Sequence, residues 1–137
     1  MHDFSEILKK SNFQKRLEKL VKKYKNKKVV FYGAGQFFSF VKENYDLSGF
    51  NILAVSDKKF INSTEPVFDE GLGYNVISPL NIYELKPDIV LISAYVDFYV
   101  EKYFCEELFG KTGHKFKYKP LYEKSWGEKI QDAWNIF

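Results

Sequence analysis

The hydrophobic positions begin with a helical period. Phe13, Leu17, Leu20, Val21 and Tyr24 fall at i, i+4, i+7, i+8 and i+11, one stripe of an amphipathic helix. Ser11, followed three residues later by Gln14, has the form of a capping box and predicts a short first helix that breaks near Asn12. The stripe predicts that this N-terminal segment, residues 1–26, docks on the body that follows it.

From Lys28 the period changes. KVVFY (28–32), FNILAVS (50–56), YNVI (74–77) and DIVLIS (88–93) read as strands, and HKFKY (114–118) as a fifth. Helices are predicted from Gly35 to about Tyr45, over LNIYEL behind the Ser78–Pro79 start signal, and from about Asp97 to Phe109. VVFY and IVLI are continuous apolar runs, the pattern of strands covered by helices on both faces. Lys and His residues around 114–118 suit an exposed edge. Strand–helix alternation with right-handed crossovers therefore predicts an α/β fold of the Rossmann-like, doubly wound kind. Its sheet would be mainly parallel, about five strands in the order 3-2-1-4-5.

The pattern ends as it began. Ser125 and Glu128 form a second capping-box signal, and Trp126, Ile130, Ala133, Trp134 and Phe137 mark one face of a C-terminal helix over 125–137. Its aromatic face calls for cover, either from the domain itself or from a second subunit. No linker or repeat divides the chain, so residues 1–137 read as one domain with its α/β core at 28–118.

Composition narrows the class. With 45% hydrophobic and 28% charged residues the chain belongs with soluble globular proteins, and its 19% aromatic content is high. The absence of a long apolar run and of a signal-peptide layout places it in the cytoplasm by expectation. One cysteine and two histidines, widely spaced, argue against a disulfide and a metal centre. Between Lys9 and Lys28 there are ten Lys or Arg against one acid, Glu18, a local net of +9 within an overall +3. Such a segment is either a solvated helix face or an attractor for anions. It has no aromatic platform interleaved for stacking bases, so nucleic acid is not an expected partner.

The chemistry concentrates after the first strand, in FYGAGQFF (31–38). Gly33 suits a tight turn, Gly35 lets a phosphate approach the main chain, and the following helix directs free N–H groups and its positive dipole end at the anion. Asp57 lies 22 residues beyond Gly35, near the spacing at which an acid at the end of the second strand meets a ribose hydroxyl. The third small position of G-x-G-x-x-G is Phe38. A phenyl ring there should hold the helix off the strand or fill space beside a pyrophosphate, which favours a mononucleotide-type ligand, or an empty turn, over a full dinucleotide.

YGAGQ before a helix, AVSDKK, GYNVISP and KPDIVLIS together resemble the Rossmann-like N-terminal domains of bacterial polysaccharide-biosynthesis proteins. These include nucleoside-diphosphate-sugar dehydratases and epimerases and sugar-nucleotide acetyltransferases. The resemblance covers roughly Lys28 to Phe109. It implies a nucleotide or nucleotide-sugar ligand, either NAD(P) or a UDP-sugar, contacted by Gly33, Ala34, Gly35, Gln36, Phe37, Asp57, Lys58, Ser93, Ala94 and Tyr95. Lys58 and Lys59 would screen its phosphate charge.

Catalytic groups are scarce. The Tyr-x-x-x-Lys of short-chain epimerases has a single match, Tyr24–Lys28, and it precedes the first strand. Cys105 sits in an apolar helical run and reads as a core thiol. The chain by itself is therefore expected to bind rather than catalyse, beside a catalytic domain elsewhere. An NAD-dependent sugar-nucleotide epimerase or dehydrogenase, with Tyr95 and Asp97 as acid and base, is the alternative. A third reading is an interaction module with a vestigial nucleotide site, docking through its basic helix or its Trp-bearing tail.

Overall fold

Val29, Val30, Phe31 and Tyr32 are all buried, which requires cover on both faces of their strand. The computed structural model, which describes residues 3–95, 98–123 and 134, supplies it with helices on either side. Strand β1 (Lys28–Tyr32) directs Val29 and Phe31 into one apolar cluster and Val30 and Tyr32 into another, as the two-residue strand period demands. The first cluster lies under α1 (Phe4–Lys10), α2 (Phe13–Lys23) and α3 (Gln36–Asn44). The second is closed by a 3-10 helix, Pro79–Leu85, and by α4 (Phe98–Thr112).

The remaining strands are β2 (Asn51–Ser56), β3 (Val67–Asp69), β4 (Tyr74–Ile77), β5 (Ile89–Ile92) and β6 (Tyr118–Pro120). They form one mixed α/β sheet of six strands in the order β3-β4-β2-β1-β5-β6, parallel except for β3. Both the count and the order differ from the expected five strands in the order 3-2-1-4-5. The difference arises in the polar loop after β2, where Val67–Asp69 turns back at Asp69 and Gly73 and pairs antiparallel with β4. Asp69 Oδ1 accepts from Leu72 N–H, and Gly73 takes φ +79, which makes that turn tight enough to add an edge strand. The last strand also lies later than expected, at 118–120 rather than 114–118.

Local signals met mixed outcomes. The break between α1 and α2 falls at Ser11–Asn12, with Asn12 left-handed at φ 54, but no capping box forms. Ser11 instead donates back to the Leu8 carbonyl, and Gln14 donates to Glu18. Ser78 does cap its helix through Leu80 N–H, with Pro79 at the first position, although the helix is of the 3-10 form. Of the C-terminal stripe, Trp126, Ile130, Ala133 and Phe137 lie outside the described residues; Trp134 is helical and 73% exposed.

Phe38 is fully buried on α3. Its ring meets Phe31 of β1 edge-on at 5.7 Å and Tyr74 of β4 at 6.1 Å. The ring thus fills the space between helix and sheet that a glycine would have closed by shortening the distance. Burying it contributes on the order of 1.5–3 kcal/mol. Among the described residues, no helix is long and apolar enough to cross a membrane.

Candidate functional site

Three strand ends converge at the turn after β1. Gly33 has φ +125, donates to the Ser56 carbonyl at the end of β2, and accepts from the Ser93 hydroxyl, just past β5, at 2.6 Å. A Cβ at Gly33 would lie 2.8 Å from the Ser93 carbonyl oxygen, so both the backbone angle and the close approach require glycine. Gly35 has an ordinary negative φ and open space where its Cβ would be. The two glycines therefore do different work: Gly33 brings strands together, and Gly35 leaves room.

Asp57 is turned inward on the turn. Its Oδ2 accepts from Ala34 N–H at 2.7 Å and its Oδ1 from Lys59 N–H at 3.2 Å, while Lys59 Nζ donates to the Ala34 carbonyl at 2.7 Å. The result is a clasp that binds Ala34 from both sides. The N–H groups of Gly33 and Ala34 are consequently engaged inside the protein. Those of Gly35, Gln36 and Phe37, at the start of α3, have no partner among the described residues. Among the described residues no side chain caps this helix, so its positive end opens on a groove of about 650 Å³ lined in part by Gly35, Gln36, Ser39 and Lys59.

A second, smaller cleft of about 120 Å³ lies on the other side of the clasp, lined by Tyr32, Gly33, Asp57, Lys58, Ala94 and Phe104 together with Ile92 and Cys105. It sits at the carboxyl ends of β1 and β5. From β1 the chain passes over one face through α3, whereas β5 is entered from the opposite face through the 3-10 helix; such a divergence of crossovers opens a crevice between strands. Lys58 Nζ rests 3.9 Å from the centre of the Phe104 ring, a cation–π contact that holds its charge at the rim. Tyr32 is 8% exposed, and its hydroxyl has no hydrogen-bond partner among the described residues. Burial, followed by the charges of Cys105, Asp57 and Glu107, pushes its phenol up to about 12. It is held as a neutral donor at the cleft wall.

Comparison with protein-family models, with curated proteins and with solved structures finds no match.

The structure divides the predicted contact set. Gly33, Asp57, Lys58 and Ala94 line the small cleft, while Ala34, Gly35 and Gln36 line the groove over α3. The side chains of Phe37, Ser93 and Tyr95 are committed elsewhere. Phe37 is buried and stacks on Phe4, the Ser93 hydroxyl is spent on Gly33, and Tyr95 stacks on Tyr122 at 5.7 Å and packs near Phe4. Asp97 lies outside the described residues. Tyr24 and Lys28 stand at the opposite end of β1 from the turn. Sequence reasoning missed Tyr32 and the pair Phe104–Cys105. The first was legible as the strand residue facing away from Phe31 just before the turn; the second needed the docking of α4 on the sheet.

Proposed function

We propose that this chain is a small Rossmann-like domain that binds a nucleotide or nucleotide-sugar and serves sugar-nucleotide or polysaccharide biosynthesis, with binding as its direct role. The reading rests above all on the start of α3. The N–H groups of Gly35 and Gln36, which have no partner among the described residues, and the Lys59 side chain border one groove, the chemistry that receives a phosphate, although Asp3 and Glu43 also belong to its lining. Asp57 supports the site by fixing the Ala34 peptide, and it lines the cleft together with Lys58 and Tyr32. A cleft of about 120 Å³ suits one ring or part of a sugar and favours a UDP-sugar or mononucleotide over NAD(P).

The test is a thermal-shift screen of UDP, UDP-sugars, NAD and NADP against wild type and Gly35→Ala. A ligand at 100 times its Kd stabilises by about 2.7 kcal/mol. A UDP compound should raise the melting temperature of wild type and do so much less for Gly35→Ala, whose new methyl occupies the phosphate approach. A silent screen, or a shift of equal size in the variant, would remove the proposal. A shift with NAD alone would replace it by the epimerase or dehydrogenase reading.

A further inference from the structure

At the other end of the sheet, the last turn of α2 and the edge strand β6 bring together lysines separated by more than ninety residues. Lys23, Lys27, Lys117 and Lys119 line a cleft of about 550 Å³, with Tyr24 in its wall. None of the four has a carboxylate partner among the described residues. Asp88, the one acid in the lining among the described residues, already accepts from Lys28 N–H at 2.7 Å through Oδ2. Arg16, whose charge also acts on Lys119, is held by Glu123 and by the carbonyls of Pro120 and Leu121.

Lysine ammonium groups normally spread apart in water. Here Lys23 Nζ stands 5.6 Å and Lys119 Nζ 5.9 Å from the centre of the same Tyr24 ring. Contact with Lys119, followed by its charge, holds Lys23 below the usual lysine range, whereas contact with Lys23 and then with Tyr24 raises Lys119. Part of this basic character answers the negative end of α2, which Lys22 and Lys23 flank. That role asks nothing of Lys117 and Lys119, which come from another element and converge on the same point.

We propose that this cleft is a second anion site, independent of the glycine turn, that takes a di- or triphosphate group of a small molecule bridged by Lys23 and Lys119. Its concavity and size fall in the range of small-ligand sites, whereas a membrane or a duplex calls for a broad basic face. The Tyr24 ring is occupied by two ammonium groups, so recognition is of phosphate charge and not of a stacked base. Lying at the amino ends of β1 and β5, the site leaves the turn after β1 free, and the domain can hold both ligands at once.

The test uses the full chain and sodium tripolyphosphate as probe, at constant ionic strength. Amide resonances of Lys23, Tyr24, Lys27, Lys117 and Lys119 should move saturably, and those of Gly35 and Gln36 should not follow the same curve. Lys23→Gln and Lys119→Gln should each weaken binding about tenfold, the value of one charge-assisted hydrogen bond. Both positions are at the surface, so the variants should keep the wild-type circular dichroism and melt. The proposal is overturned if sulfate at equal ionic strength displaces the probe equally well, if both variants bind as wild type, or if the shifts centre on Gly35. Binding to anionic vesicles without any saturable response to tripolyphosphate also overturns it.

Discussion

Replacing Gly33 by alanine tests the junction of the three strands directly. An L-residue at φ +125 costs about 1–3 kcal/mol. The added Cβ, 2.8 Å from the Ser93 oxygen and 2.9 Å from its carbonyl carbon, must also push backbone aside, which costs a similar 1–3 kcal/mol. Movement there strains the 2.6 Å bond from the Ser93 hydroxyl and the pairing of Gly33 N–H with Ser56. The expected loss is roughly 2–6 kcal/mol, and for a chain of this length about 4 °C of melting temperature accompanies each kcal/mol. The melt should therefore fall by roughly 8–24 °C, measured by calorimetry and by urea titration. Gly35→Ala is the matched control. With nothing within 4 Å of its Cβ and a negative φ, it should lose only the preference of a helix N-cap for glycine over alanine, about 1 kcal/mol. If Gly33→Ala melts within 2 °C or so of wild type, or if both variants lose equally, the assignment of separate roles to the two glycines is wrong.

Two further outcomes follow from buried aromatic residues. Phe38→Ala should cost about 3–5 kcal/mol in urea unfolding, because its ring is enclosed by Phe31 and Tyr74, and it should bring no gain in NAD affinity; a gain would show that the ring had been blocking the ligand. Tyr32→Phe bears on alkaline stability. The folded chain keeps the Tyr32 proton to about 12 while the unfolded chain releases it near 10.0, so the unfolded state binds fewer protons and stability falls as pH rises between those values. The variant should lose stability less steeply than wild type over that interval, as followed by tyrosinate absorbance and melts; parallel pH profiles would refute the burial argument.

Much of the sheet was legible because β1, β2 and β5 are short runs of uniform hydrophobicity between clear breaks. The strand at Val67–Asp69 was not: Val67 and Phe68 are exposed and lie in a polar loop, so no periodicity marks them, and pairing with β4 alone makes them a strand. The chemistry of the turn was partly legible. Spacing identified Asp57, but not that its carboxylate bonds inward to Ala34 and Lys59; that depends on how closely β2 ends beside β1. Phe38 was read as an obstacle because its position in the motif was visible and its partners were not. Ser93 and Tyr95 were assigned outward for the same reason. The lysine cleft joins positions 23–27 to 117–119, a proximity that no local pattern encodes.

Arg16 carries a consequence for biosynthesis. Its guanidinium holds the carbonyls of Pro120 and Leu121 and the carboxylate of Glu123, partners 104 to 107 positions further along. A ribosome adding about 5–20 residues per second needs on the order of 5–20 s to deliver them. During that interval the amphipathic face of α2, with Phe13, Leu17 and Leu20, exists while β6 does not. The nascent chain thus keeps the apolar face of α2 unlatched until the segment around β6 has been made.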